Sequence, residues 1–341
     1  DYVGTTDGPK EPKVEIIHIP LLRNSKTPFF YLLAFLAAYR AIKKVKIHII
    51  CTESFVWSGL VGIFLSRIYK IPCTVDIRAN YDDVIKYYYK LIPLCLKRAL
   101  IERLAKFVLR RCSHVFPNSR YNQQKCIAYG VDPEKVSILS PGIKFADVKI
   151  PKKDTEIFTV GFIGRLIPVK GVDYLLKAVH YLVYDIKFTK FKVLIVGDGP
   201  ERKSLEELSK ELNVDGYVKF VGMVPSTRKF EWISKFDVLV SPYRTLPELG
   251  MVNAEAYMCK VPVVAFGKGG HPEPVLNGKT GFIIPIGDYK LLAEKILFLY
   301  QDNNVRREMG ERGYEFVMEN YNIDKQILTL KKVFVNLLHI N

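Results

Sequence analysis

Two carboxylates placed around a glycine turn make segment 241–256 the part of the chain best suited to chemistry. Glu248 and Glu255 enclose six residues, and the pattern after the turn is that of a helix. Carboxylates accept hydrogen bonds from neighbouring hydroxyls, and the first amides of a helix attract phosphate. These properties predict a site for a phosphorylated, hydroxyl-rich ligand such as a nucleotide sugar, with backbone contacts from Gly250, Met251 and Val252. The alternative is that both acids only cap the helix.

A second loop carries two cations between glycines. Arg165 and Lys170 lie between Gly164 and Gly171, after a buried strand and before a helix. Arginine offers a planar fork and lysine a mobile point charge, so the pair suits the charge that grows on a departing diphosphate. The alternative is that both are solvated loop cations.

Together with two further motifs, these segments resemble the retaining glycosyltransferases of family 4. The motifs occur in order: G-R-x-x-x-x-K-G from Gly164, G-D-G-P-E from Gly197, the acidic segment 248–256, and G-G-H-P-E from Gly269. The resemblance is strong over about residues 113–335. It implies the GT-B fold, an α/β architecture in which two Rossmann-like domains with parallel sheets face each other across a cleft.

The resemblance also implies roles for individual residues. Glu255 is expected to bind the ribose hydroxyls of the nucleotide, and Glu248 the hydroxyls of the donor sugar. The family usually has seven residues between these acids, whereas six stand here and Pro247 occupies the usual glutamate position. The sequence therefore leaves open whether Glu248 keeps its role. Further substrate-binding candidates are Gly164, Gly197, Gly199 and Glu273, the last equally well explained as structural; His271 is expected to be an exposed turn residue.

The predicted reaction needs neither a cofactor nor a metal. The sequence has no D-x-D pair and no G-x-G-x-x-G after a strand. Arg165, Lys170 and helix dipoles would replace the cation, and the departing phosphate would take the acceptor proton on the same face. In the acceptor-binding half, Asp76 is a candidate to orient the reacting hydroxyl, although a structural pairing with Arg78 is equally consistent. Other polar residues expected at strand ends facing the cleft are Glu53, Asn118, Ser119 and Arg120.

Alternating apolar runs and helical patterns predict the domain organisation. Short continuous apolar strands separated by helices indicate a parallel sheet covered on both faces. We expect an N-terminal acceptor-binding domain at 1–148, a C-terminal nucleotide-sugar domain at 149–322, and a helix at 323–341 that crosses back to the first domain. The N-terminal domain begins without the strand and helix usual in the family, so we expect the sequence to be truncated; a compact natural variant is the alternative.

Charge is concentrated in the first half of the chain. The net charge is +16, and residues 1–150 hold 24 Lys and Arg against 12 Asp and Glu. Segment 84–111 has eight cations and one acid, interleaved with apolar residues. This composition favours an anionic membrane surface as a partner; the alternative is a helix whose apolar stripe packs on the sheet and whose charges are solvated. Six cysteines without metal-ligand spacing are typical of reduced thiols in a cytoplasmic protein.

The sequence therefore predicts a metal-independent, retaining hexosyltransferase. Its donor would be a nucleotide sugar and its acceptor a hydroxyl of a lipid-linked or polymeric glycan. A GT-B nucleotide-sugar epimerase is the nearest enzymatic alternative, but it would need acid and base residues beside the sugar. A basic nucleic-acid-binding protein is the alternative from another class. It is disfavoured because no recognised nucleic-acid motif accompanies the charge, and no nucleic-acid partner is expected.

Overall fold

Two parallel β-sheets, each covered by helices, form the core of the structure. The structure is a computed structural model and describes residues 28–44, 46–78, 94–144, 157–244, 250–267 and 272–339. The apolar run 14–19, which predicts a strand, lies outside the described residues, as do Glu248 and His271. All strand pairs within the two sheets are parallel.

The first sheet has three described strands in the order β1-β2-β3. The strands are β1 (Ile50–Thr52), β2 (Cys73–Ile77) and β3 (His114–Pro117). The helices of this half are α1 (Pro28–Lys44), α2 (Trp57–Tyr69), α3 (Leu94–Arg111) and α4 (Arg120–Ala128). The apolar run 136–139 also predicts a strand, but the structure has only a parallel bridge there, between Val136 and Val115.

Helix α3 packs its apolar face against the first sheet. Ile101, Ala105 and Val108 are buried in the cluster that also holds the strand residues Val75 and Val115. Leu100, on the neighbouring face, is 62% exposed. Because this face packs on the sheet, only apolar residues on the exposed side of α3, such as Leu100, are available to a membrane.

The second sheet has six described strands in the order β6-β5-β4-β7-β8-β9. The strands are β4 (Phe158–Ile163), β5 (Phe191–Val196), β6 (Val218–Gly222), β7 (Val238–Ser241), β8 (Val263–Phe266) and β9 (Gly281–Ile284). The helices are α5 (Val172–His180), α6 (Arg202–Glu211), α7 (Lys229–Ile233), α8 (Met251–Met258), α9 (Tyr289–Gln301) and α10 (Asn303–Asn320). This strand order is that of a doubly wound Rossmann sheet.

Burial on both faces explains why these strands read as continuous apolar runs. Val160 and Val193 pack into the cluster on one face, and Leu194 and Val263 into the cluster on the other. A strand with both faces covered has no reason to alternate polar and apolar residues.

The last helix, α11 (Ile323–His339), lies against the first sheet. The Phe334 ring lies 6.3 Å from that of Phe116 in β3, edge to face. Just before α11, the Ile143 amide donates to the Tyr321 carbonyl at 2.7 Å, and the Ile323 amide to the Ile143 carbonyl at 3.3 Å. The two stretches of chain that run between the sheets are therefore bonded to each other.

Candidate active site

The strand order creates a crevice where β4 and β7 are neighbours. From β4 the chain turns toward β5 on one side, and from β7 toward β8 on the other. The loops after two such strands diverge, and ligands of open α/β sheets bind in the opening at the carboxyl ends. The Arg165–Lys170 loop follows β4, and residues 242–244 and the beginning of α8 (Met251–Met258) follow β7. The described parts of the two segments that the sequence singled out therefore follow neighbouring strands.

Leu166 fixes the loop after β4. Its side chain is fully buried. Its amide donates to the Asp198 carbonyl at 2.9 Å, and its carbonyl accepts from the Glu201 amide at 3.0 Å. The neighbouring Arg165 is exposed, so an anchored backbone presents its guanidinium to solvent.

Gly197 and Gly199 allow that anchoring. A Cβ on Gly197 would overlap the Gly164 carbonyl oxygen, and one on Gly199 would overlap the Leu166 carbonyl oxygen. Both glycines are therefore explained by the close approach of two loops. The structure thus gives Gly197 and Gly199 a role in packing the two loops together. Contact between these glycines and a nucleotide stays a prediction.

The loop after β4 is also bonded to the segment after β7. The Arg244 amide donates to the Val169 carbonyl at 2.9 Å. The Lys170 ammonium lies 3.8 Å from the centroid of the Tyr243 ring, in cation–π geometry. Gly171 has φ +63°, and a Cβ there would overlap the Pro242 carbonyl oxygen. The position of Lys170 therefore depends on this close contact.

Arg244 is a third cation at these loops, and the sequence reasoning did not assign it. Its Nη2 lies 2.5 Å from Asp173 Oδ2, and its guanidinium carbon lies 4.7 Å from the Tyr174 ring centroid. The hydrogen bond to Asp173 raises the pKa of Arg244 above its usual value. The sequence does offer one indication of a role for Arg244, because it follows Tyr243 directly and precedes Glu248 by four residues.

Glu255 is the fifth residue of α8 and faces a lysine from another helix. Its Oε1 accepts from Lys229 Nζ at 2.7 Å, and the two side chains are 18% and 31% exposed. The first turn of α8 holds no acid, so Glu255 is not a helix cap. Lys229 stands 26 residues away in sequence, and no sequence spacing signals this pair.

Gly250, Met251 and Val252 form the beginning of α8. Gly250 is the N-cap residue, with φ −72° and no side-chain cap. Amides in the first turn of a helix have no partner inside the helix, so the turn offers donors to a ligand. These three residues lie where the sequence placed them.

A polar cluster occupies the carboxyl end of the first sheet. Asp76 Oδ2 accepts from Arg78 Nε at 2.9 Å, and Arg78 Nη2 lies 3.5 Å from Glu53 Oε1. Asn118 Nδ2 donates to the Arg78 carbonyl at 2.8 Å. Burial raises the pKa of Asp76, and Arg78 opposes that shift. The structural Asp76–Arg78 pair is therefore present, and it is part of a larger cluster at the strand ends.

Glu273 contacts the other half of the molecule. Its Oε2 accepts from the Arg120 amide at 2.8 Å, and its Oε1 from the Tyr121 amide at 2.6 Å. Both amides belong to the first turn of α4, so the carboxylate joins the two halves of the chain. A contact between Glu273 and substrate stays a prediction.

Neither a metal cluster nor a membrane-spanning helix is found in the described ranges. Among those residues, no group of three or more His, Cys, Asp or Glu side chains could hold a metal ion. No helix in the same ranges is long and apolar enough to cross a bilayer.

Comparison with known proteins identifies relatives of both halves. The family described as Glycosyl transferases group 1 matches residues 144–316, and Glycosyltransferase Family 4 matches residues 2–146. The N-acetyl-alpha-D-glucosaminyl L-malate synthase of Bacillus anthracis is 30% identical over 176 residues, 52% of this chain and 45% of that protein. The capsular polysaccharide biosynthesis glycosyltransferase CapM of Staphylococcus aureus is 24% identical over 337 residues, 94% of this chain and 85% of that protein.

A solved structure shares the architecture. HepE from Anabaena, crystallised in complex with UDP, superposes with a TM-score of 0.74 at 19% identity, covering 90% of this chain and 82% of that one. The match and the two parallel sheets define the class of the fold, which is GT-B. The chain belongs to the glycosyl transferases group 1 family, and the resemblance to family 4 is confirmed.

Proposed function

We propose that the chain is a retaining, metal-independent hexosyltransferase that uses a nucleotide sugar and a lipid-linked or polymeric glycan acceptor. The observation that carries this proposal is that the loop with Arg165 and Lys170 follows β4 while the helix with Glu255 follows β7, the neighbouring strand. Two cations and one carboxylate at that position match a ligand with a diphosphate at one end and vicinal hydroxyls at the other.

The cations would bind the diphosphate. Arg165 is exposed on an anchored backbone, and Lys170 is oriented by the Tyr243 ring. The amides that open α8 add donors on the opposite side of the same crevice. Fixed positive groups of this kind stabilise the charge that develops on the leaving oxygen more than they stabilise the bound substrate.

Glu255 would bind the nucleoside. The ammonium of Lys229 holds one carboxylate oxygen, Oε1, which leaves Oε2 to accept from ribose hydroxyls. The HepE structures were obtained with UDP and with UDP-glucose. UDP and UDP-glucose are therefore the first ligands to test.

The proposed transfer breaks the bond between the anomeric carbon and the β-phosphate oxygen. The acceptor oxygen forms its bond to the same face of that carbon, and its proton passes to the departing phosphate oxygen. The bonding electrons leave with the nucleoside diphosphate, and no other reactant is needed. Asp76 would orient the acceptor hydroxyl while Arg78 holds one of its oxygens.

We also propose that the enzyme works at the cytoplasmic face of an anionic membrane. On α3, Leu100 and the cations Arg103, Arg110 and Arg111 are exposed, while the opposite face is buried. Apolar side chains flanked by long cations suit a headgroup interface. Such an interface would place a lipid-linked acceptor near the crevice.

Donor turnover across a panel of nucleotide sugars tests the proposed function. Release of nucleoside diphosphate from one donor, accelerated by a glycan or lipid-linked hydroxyl, is the expected result. The double variant with Arg165→Ala and Lys170→Ala should lose this activity. Lys210→Ala, an exposed lysine in the last turn of α6, is the matched control and should retain it.

Two outcomes would contradict the proposal. Conversion of a donor to its epimer without acceptor would instead indicate an epimerase. Normal turnover by the double variant would show that the diphosphate is bound elsewhere.

A further inference from the structure

Glu273 joins the two halves of the molecule through its carboxylate. Both carboxylate oxygens are used, one by the Arg120 amide at 2.8 Å and the other by the Tyr121 amide at 2.6 Å. The acid and its partners are 153 and 152 residues apart in sequence. A two-point contact fixes orientation as well as distance.

The contact completes the N-terminus of α4. The Ser119 side chain accepts from the Asn122 amide at 3.2 Å, which is the usual cap from within the chain. The two amides before Asn122 have no partner inside the helix, and Glu273 supplies their acceptors from the other sheet. A negative charge is favourable at this end of a helix.

The position of Glu273 is also next to the chain crossings between the sheets. A cavity of about 400 Å³ is lined by Glu273 and Arg120 together with Ser140, Tyr321 and Gln326. The crossing segments are bonded to each other through Ile143 and Tyr321. The paired crossings and the Glu273 contact therefore line the same cavity and are two separate connections between the halves.

We propose that Glu273 is a positioning residue that fixes the angle between the two domains. By holding the first turn of α4, it holds the Asn118–Ser119 segment at the end of β3, and with it the polar cluster of Asp76 and Arg78. The donor loops belong to the same half as Glu273. Its carboxylate therefore sets the distance between the acceptor side and the donor side of the cleft. The expected effect of Glu273 on the transfer rate rests on the proposed function. The expected effect of Glu273 on the angle between the domains does not depend on it.

The Glu273 carboxylate and the two amides that it accepts from stabilise each other. Burial raises the pKa of Glu273, while the two amides lower it. A half-buried carboxylate without its donors would be costly, so loss of the contact favours an opened arrangement in which the acid reaches water. Glutamine has nearly the same shape but only one acceptor oxygen, so Glu273→Gln removes half of the contact and all of its charge.

Amide exchange and small-angle scattering test the proposal directly on the full chain. In Glu273→Gln, exchange at Arg120 and Tyr121 should rise by at least about tenfold, because two bonds to a charged acceptor are weakened or lost. The scattering should show a larger radius of gyration. UDP affinity should stay within about twofold, while kcat should fall and the KM for donor should not change, since the donor loops are untouched.

Ser119→Ala is the matched control, because it weakens the same helix end without touching the other domain. It should raise exchange near Asn122 and leave the scattering unchanged. Glu273→Asp keeps the charge, so its amide exchange and radius of gyration should lie between those of the wild type and of Glu273→Gln. This variant replaces Glu273→Gln in the test if the glutamine variant unfolds. Wild-type scattering in Glu273→Gln, or an equal increase of the radius of gyration in Ser119→Ala, would overturn the proposal. If the wild type shows no transferase activity, exchange and scattering still decide whether Glu273 fixes the domains.

Discussion

Gly171→Ala probes the contact that positions the phosphate loop. Gly171 has φ +63°, and an added Cβ would overlap the Pro242 carbonyl oxygen. That oxygen belongs to the backbone and cannot rotate away as a side chain can. The substitution should therefore push the Lys170 loop and the segment after β7 apart.

Gly278 offers a matched position for working out the magnitude. It has φ +73°, but no atom lies within 4 Å of an added Cβ. Alanine in the left-handed region costs about 1–2 kcal/mol, offset by about 0.4–1 kcal/mol from the restricted unfolded chain. Gly278→Ala should thus cost about 1 kcal/mol. Overpacking adds about 1–3 kcal/mol, so Gly171→Ala should cost about 2–4 kcal/mol.

Urea unfolding of both variants measures the difference, and UDP titration measures its effect on the site. Gly171→Ala should unfold at lower urea and bind UDP more weakly, whereas Gly278→Ala should bind UDP like the wild type. Equal free energies of unfolding for the two variants would refute the close contact between Gly171 and Pro242. Unchanged UDP affinity in Gly171→Ala would show that the loop position does not matter for binding.

Four further variants test other parts of the site and fold. Arg165→Ala or Lys170→Ala should each lower kcat by about 10²–10³ through lost stabilisation of the leaving diphosphate, with unchanged folding; steady-state kinetics measure this. Glu255→Gln should weaken UDP more than it weakens 2′-deoxy-UDP, measured by calorimetry, and equal losses for both would contradict the ribose contact. Burial lowers the pKa of His114 below its ordinary value of 6.5, so the unfolded chain takes up this proton first and stability falls as pH drops below about 6.5. His114→Gln should flatten that dependence by up to about 1.4 kcal/mol per pH unit in urea unfolding at pH 5–7, and an unchanged slope would contradict it.

Liposome co-sedimentation tests the membrane proposal. Binding should strengthen with acidic lipid and fade with salt, because each cation near the surface contributes about 1 kcal/mol. Replacement of Arg103 and Arg110 by Gln should weaken it. Liposome binding that changes neither with lipid charge nor with the two replacements would contradict a role for α3.

Much of the second sheet could be predicted from the sequence because burial on both faces leaves a simple signal. The apolar runs at 157–163 and 191–196 correspond to β4 and β5 within one residue. The run 136–139 gave the same signal without forming a strand, since only Val136 forms a bridge to β3. An apolar run in the sequence indicates that a segment is buried. Whether that segment pairs as a strand depends on which strands lie beside it in the fold.

The candidate site was predicted in part. Glycine and charge spacing located the Arg165–Lys170 loop and the beginning of α8, because each lies within one short segment. The Lys229–Glu255 pair and the Glu273 contact join distant segments, and no local spacing encodes them. Gly197 and Gly199 are a further example. Glycines in a loop indicate that another group lies close to the backbone, but the sequence does not tell whether that group is a ligand or another loop. The domain boundaries and the role of Glu248 stay predictions.

Hydrogen exchange of the wild type with and without UDP tests the central claim most directly. If the β4–β7 crevice is the nucleotide site, UDP should slow exchange in residues 164–171 and in the first turn of α8, and leave the amino-terminal end of the second sheet unchanged. The claim would be contradicted by UDP binding that protects neither segment, or that protects instead the cavity around Lys190, Tyr300 and Arg306 at the opposite end of that sheet.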